Sequence, residues 1–326
     1  MVDNSKYLNL LKQETNKTPY YLLALKKECE RRLSYLTDSR EDTLIKEYFN
    51  NLFLEFNFEM NRILPSQTMN LLVVPLLGRC NLNCKGCDAY APLCKDSNEY
   101  YSAEEINEDL KILNDKGFVI REISLEGGEP FLHPQLLEVA IKVREVFPNT
   151  HITILTNGTL LKEKDTSFYE TLAHLNYTLV IDKYFDIENF EDILSSIRST
   201  GLNIELDGCV DGSGWFHRAP LDLHSTFFGE DEEAQHFVKC DKANNIYTLD
   251  RGLLYLCGRS ASVKYFNKYF NTSLPDEGVD IRKYEGPEIA QKVAFPNKLC
   301  KYCKPLSLEN MKWKESECKI EEWADL

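Results

Sequence analysis

The feature that most constrains this chain is the segment Gly78-Arg79-Cys80-Asn81-Leu82-Asn83-Cys84-Lys85-Gly86-Cys87. Its three cysteines put three thiols on one short loop. Thiolates in such a group suit an iron–sulfur cluster, whose irons are held by cysteine sulfur. A closed structural metal site takes four ligands, so three leave one metal position open for chemistry. The loop follows an apolar run, residues 70–77, that reads as a buried strand. Ligands at the end of a strand sit where α/β folds place their active sites.

From residue 70 onward the sequence alternates strand, helix, strand. Ser102-Ala103-Glu104-Glu105 reads as a capping box, opening a helix with Ile106, Leu110 and Leu113 on one face and ending near Gly117. Further strands are expected at 119–125, 151–155, 177–181 and 202–206. Pro134 suits the first position of one helix, Pro148 its end, and a last helix is expected over 187–199, closed by Gly201. Such alternation implies a parallel sheet. Residues 1 to about 65 carry apolar residues at helical spacing but no motif. They read as a cap that packs on the sheet, with recognition of a peptide leader as the other reading.

Two more motifs occur at strand ends, Gly127-Gly128-Glu129-Pro130 and Thr156-Asn157-Gly158. With the three-cysteine loop after the first strand, they make the chain resemble the radical S-adenosylmethionine (SAM) enzymes. The resemblance implies an α/β fold built on a partial (β/α)6 barrel. It implies that Cys80, Cys84 and Cys87 hold a 4Fe–4S cluster whose open iron chelates SAM. One-electron cleavage of SAM then gives a radical that abstracts hydrogen from substrate. Gly127, Gly128, Glu129 and Pro130 would contact the SAM amino group, and Thr156 and Asn157 would line its pocket. Asp182, at the end of the fourth strand, is either a ribose contact or a helix N-cap. Gly86 stands where the family often carries an aromatic residue.

A second pattern comprises Cys240, Cys257 and Cys300-Lys301-Tyr302-Cys303, with Gly252 in the turn of a hairpin over 246–256. It resembles the twitch form of the SPASM-type auxiliary domain, which implies a second, fully ligated 4Fe–4S cluster. Two cysteines plus a Cys-x-x-Cys are also good zinc ligands. The expected organisation is a helical cap over 1–69, the partial barrel over 70–225, and the auxiliary-cluster domain with a tail over 226–326. Of the other cysteines, Cys29 reads as a packing residue and Cys94 as buried, while Cys318 has no neighbour in register and could substitute as an auxiliary ligand. Cys209 follows the fifth strand and is either a hydrogen-atom donor to a substrate radical or a buried apolar residue. His133, Lys183, Asp211, His217 and Arg218 are polar residues near strand ends or between the domains.

Lys and Arg total 38 against 52 Asp and Glu, a net charge of −14. That balance argues against a nucleic-acid backbone as partner, because such binding rests on phosphate neutralisation. No stretch approaches the roughly 20 apolar residues of a membrane span, and the N-terminus lacks a secretory pattern. Eleven cysteines in such a chain point to metal ligation in a reducing cytoplasm. The resemblance implies a reductant such as flavodoxin or ferredoxin. It leads to oxidation or epimerisation of a sugar-like or aminocyclitol substrate as the first functional reading. Modification of a ribosomal peptide is the second, and a non-catalytic zinc or iron–sulfur binding protein the third.

Overall fold

The computed structural model describes residues 67–207, 215–218, 220–223, 236–237, 240, 242–303 and 309–325. The expected N-terminal cap, with Cys29, and the candidates Cys209 and Asp211 lie outside the described residues. The frame is one mixed sheet flanked by helices. Strand β1 spans Thr68–Pro75, β2 Val119–Glu126, β3 His151–Thr156, β4 Tyr177–Asp182 and β5 Asn203–Asp207. Each is parallel to the next. The crossovers are helices α1 (Ala103–Asp115), α2 (Leu136–Val146), α3 (Thr166–His174) and α4 (Phe190–Arg198).

These elements form for local reasons. Met69, Leu72 and Val74 of β1, Ile123 and Leu125 of β2 and Ile152 and Ile154 of β3 join one buried core with Ile106, Leu110 and Leu113 of α1. The capping box of α1 is complete: the Ser102 hydroxyl accepts from the Glu105 backbone N–H, and Glu105 accepts from the Ser102 N–H. Gly117 follows that helix at φ 80°, a left-handed position that costs glycine little. Two boundaries differ from expectation. Helix α2 starts at Leu136, because a 3-10 turn over Pro130–Leu132 and the cap Gln135 occupy the stretch around Pro134. Helix α4 starts at Phe190, after a left-handed Asn189.

The expected hairpin forms as β8 (Ile246–Asp250) and β9 (Leu253–Tyr255), after the short strands β6 (Trp215–Arg218) and β7 (Leu221–Asp222). Its turn residues Arg251 and Gly252 have φ of 47° and 77°, the paired positive values of a tight two-residue hairpin turn. Strand β8 lies parallel to β1, with Val73 opposite Thr248. The hairpin therefore extends the main sheet and covers what would otherwise be an open edge at β1. With β10 (Val279–Asp280) the order is β10-β9-β8-β1-β2-β3-β4-β5, which among the described residues stays open at β5 and β10 as a partial barrel does. Helix α5 (Gly258–Phe270) follows the hairpin, and α6 (Gly286–Val293) follows β10. Strand β11 (Glu309–Lys312) pairs with β6, and β12 (Ala324–Asp325) with β7.

His133 ties α1 to α2 from a buried position. One ring nitrogen, Nε2, meets the Tyr101 carbonyl at 3.0 Å and so carries the proton, while Nδ1 accepts from the Gln135 N–H at 3.1 Å. Burial lowers its pKa, only partly offset by the Tyr101 carbonyl. The fold thus favours neutral imidazole, and the stability this adds is complete above the ordinary histidine value of about 6.5 and lost as pH falls below it. The unfolding midpoint should drop between pH 7 and pH 5, and a His133→Asn variant should show a flatter dependence. Equal slopes for the two proteins would contradict this role.

Candidate active site

The C-terminal ends of β1 to β4 deliver the motifs to one edge of the sheet. The turn after β2 is zipped onto the start of the cysteine loop by backbone bonds. Gly128 N–H donates to the Leu77 carbonyl at 2.7 Å and Glu129 N–H to the Arg79 carbonyl at 3.0 Å. Both glycines are required there. A Cβ on Gly127, at φ 136°, would lie 2.4 Å from the Leu77 oxygen, and one on Gly128 would lie 2.0 Å from the Arg79 oxygen. Glu129 is fully buried. Its carboxylate accepts from Phe131 N–H at 3.0 Å, from Thr156 Oγ1 at 2.7 Å and from Asn157 N–H at 2.9 Å. Burial raises its pKa, and these donors oppose the rise. The carboxylate thus braces the ends of β2 and β3 together.

Cys84 and Cys87 lie close enough to raise the pKa of Cys80, and Cys87 that of Cys84. Burial is the larger cause, pushing Cys80 and Cys84 up to about 12 and raising Cys87 as well. The sulfurs are met by N–H donors. Leu82 N–H and Asn157 Nδ2 reach Cys80 Sγ at 3.4 and 3.6 Å, and Trp313 Nε1 reaches Cys84 Sγ at 3.2 Å. Asn157 also holds Asn81 Oδ1 at 3.0 Å, joining the third strand to the loop. Asp182 accepts from Tyr184 at 2.5 Å and acts electrostatically on Cys84; the cap position of α4 belongs to Asn189.

The cysteines of the second group also lie within electrostatic reach of one another. Cys300 is influenced by Cys303, Cys257 and Cys240, and Cys303 by Cys257 and Cys240. Burial raises both Cys300 and Cys303. Among the described residues no three His, Cys, Asp or Glu side chains gather tightly enough for a single metal ion. A polynuclear cluster, which gives each thiolate its own iron, has no such requirement.

A cavity of about 320 Å³ lies between the second group and the residues that directly follow Cys87. Asp88, Glu126 and Gly127 line it from the first side, and Cys240, Cys257, Cys303 and Arg259 from the second. Arg259 spans the gap: one guanidinium nitrogen pairs with Asp88 at 3.2 Å and another donates to Cys303 Sγ at 3.7 Å. Lys242 adds a second cation 3.8 Å from Asp88. Burial raises the Glu126 carboxyl, opposed by Ser124 and Lys242. Sequence reasoning missed Glu126, Arg259, Lys242 and Trp313. Glu126 adjoins the Gly-Gly turn and Arg259 lies two residues after Cys257, which is the signal that marks them.

Other candidates stand apart from this cavity's lining. Lys183 pairs with Asp186 at 3.4 Å and lies over the Phe190 ring. Cys94 is buried, and Cys318 Sγ meets the Pro92 carbonyl at 3.9 Å. His217 and Arg218 are in β6, with side chains outside the described residues. No helix among the described residues is long and apolar enough to cross a membrane.

Residues 74–200 match the Radical SAM superfamily model. That family implies a 4Fe–4S cluster and SAM, and the residues present fit both: three soft thiols, N–H donors aimed at two of the sulfurs, and a glycine turn against the loop. Among curated relatives, the chain is similar to GTP 3′,8-cyclase of Aquifex aeolicus (34% identical over 104 residues, 30% of this chain and 31% of that one). It is also similar to GTP 3′,8-cyclase of Helicobacter pylori strain HPAG1 (30% identical over 205 residues, 56% and 63%). The chain thus spans roughly a third to two thirds of the length of these relatives. Among solved structures it is similar to BtrN in complex with AdoMet and 2-DOIA (16% identity, 73% of this chain and 94% of that one, TM-score 0.45). It is also similar to SuiB of Streptococcus suis bound to precursor peptide SuiA (14%, 96% and 86%, TM-score 0.38).

The close approach at Gly128 gives a direct check. Gly128→Ala forces backbone to move, a cost on the order of 1–3 kcal/mol for overpacking, and should lower the unfolding midpoint. An unchanged midpoint would show that the turn and the loop are not held in this contact.

Proposed function

We propose that the protein is a radical SAM enzyme that oxidises or epimerises a small hydroxylated substrate, a sugar or an aminocyclitol. In this reading Cys80, Cys84 and Cys87 hold the SAM cluster, and Cys240, Cys257, Cys300 and Cys303 an auxiliary 4Fe–4S cluster. The observation that carries it is a cavity of about 320 Å³ lined by Asp88 and Ala89, which directly follow Cys87, and by Cys240, Cys257 and Cys303. Its volume suits a small molecule, for which pockets begin near ~300 Å³, and favours that reading over a peptide.

When bound, cluster and SAM supply the hydrogen-abstracting radical. The chain's own residues do the rest. Gly127 and Gly128 let the turn lie directly against the cysteine loop, while Glu129 keeps the turn fixed by bonding inside the protein. Glu126, on the cavity wall with a raised carboxyl pKa, takes a proton from a substrate hydroxyl. Arg259 and Lys242 hold Asp88 against the second cysteine group and offer cations to substrate oxygens. The cyclase relatives share only part of their length with this chain, and their reaction is not carried over.

The reading is tested by isotope transfer. Incubated without oxygen with SAM, dithionite and deuterium-labelled sugars and aminocyclitols, the enzyme should release 5′-deoxyadenosine carrying deuterium from one of them. Transfer from a labelled peptide, and from none of the small molecules, would replace this substrate class with a peptide.

A further inference from the structure

The last described segment returns from the second cysteine group and straps the first. Lys85 N–H donates to the Lys314 carbonyl at 2.9 Å, and Ser316 N–H to the Asn83 carbonyl at 2.7 Å. Between them Cys84 and Glu315 form an antiparallel bridge. Asn83 Nδ2 returns to the Ser316 carbonyl at 3.0 Å. Further on, Trp323 Nε1 donates to the Cys87 carbonyl at 2.9 Å. The strap is latched on itself by the buried Glu322, whose carboxylate accepts from Ser316 Oγ at 2.5 Å and from Glu317 N–H at 2.8 Å.

Within this strap Trp313 aims its indole N–H at Cys84 Sγ, 3.2 Å away. Its ring packs edge-on against Phe185, with centroids 5.3 Å apart, so its direction is fixed. An indole nitrogen can only donate, which makes the sulfur the acceptor. A thiolate carries far more negative charge than a thiol and is the better acceptor. The contact is therefore built for the metal-bound form of Cys84.

We infer that Trp313 is a positioning residue for the cluster loop, holding the Cys84 thiolate through its indole N–H and raising the reduction potential of the cluster bound there. The inference rests on the reading of Cys80, Cys84 and Cys87 as cluster ligands. Its physical basis is charge. Reduction adds an electron to the cluster, and an N–H dipole pointed at a ligand sulfur stabilises the more negative state. Hydrogen bonds to the sulfurs are among the levers that set such potentials.

Trp313→Phe keeps a ring against Phe185 and removes the N–H. The reconstituted full chain would be titrated with redox mediators while following the reduced-cluster electron paramagnetic resonance signal that changes when SAM is added. With iron content unchanged, the variant's midpoint should fall by about a tenfold change in the oxidised-to-reduced ratio, roughly 59 mV for one electron. An unchanged midpoint with iron retained would overturn the inference. Should the variant not fold, wild-type protein carrying 15N-indole tryptophan answers the same question. Pulsed resonance should detect indole nitrogen coupled to that signal, and its absence overturns the contact. A wild-type chain that takes up no iron would overturn the underlying ligand assignment, a result read from the metal count before any potential is measured.

Discussion

Thiols buried beside one another out of water are the constraint on which the rest depends. Burial raises the pKa of Cys80, Cys84, Cys87, Cys300 and Cys303, and neighbouring cysteines add to the rise in several of them. Such thiols stay protonated until a cation replaces their protons, so metal binding here must release protons and stabilise the folded state. The N–H donors already aimed at Cys80 and Cys84 match the charge those sulfurs carry once ligated. This is the environment that the proposed ligation of a positive centre by several thiolates requires.

The sheet explains how the second group comes to share a cavity with the residues that follow the first. Strand β1 is central, with β2 on one side and β8 on the other. Its C-terminal end carries the first cysteine loop, while the β8–β9 hairpin carries Cys257 and the start of α5 to the same region. Arg259 then links Asp88, next to Cys87, with Cys303. Arg259 thus ties an exposed carboxylate beside the first group to a sulfur of the second through one side chain.

Much of this was legible in the sequence where the signal was local. The cysteine spacings, the Gly-Gly turn, the Ser102 capping box and the hairpin turn at Gly252 each depend on residues within a few positions of one another. Helix starts near Pro134 and Ile187 were misplaced for a local reason too, since a 3-10 turn and a left-handed asparagine take up the extra residues. What could not be read were contacts between distant segments. The pairing of β8 with β1 leaves no trace in either strand's composition. Arg259 meets Asp88 across 171 positions, Trp313 meets Cys84 across 229, and Trp323 meets Cys87 across 236. Lone arginines and tryptophans have no periodicity to announce such partners.

The central claim is that Cys80, Cys84 and Cys87 hold a cluster that cleaves SAM. The direct measurement is anaerobic reconstitution of the wild-type chain and a Cys84→Ala variant, with iron and zinc counted and 5′-deoxyadenosine measured after adding SAM and dithionite. The account predicts about eight irons per wild-type chain, for two 4Fe–4S clusters, with 5′-deoxyadenosine formed. It predicts about four irons and no 5′-deoxyadenosine for the variant. A variant that still cleaves SAM, or a wild-type chain that binds zinc and no iron, would contradict it.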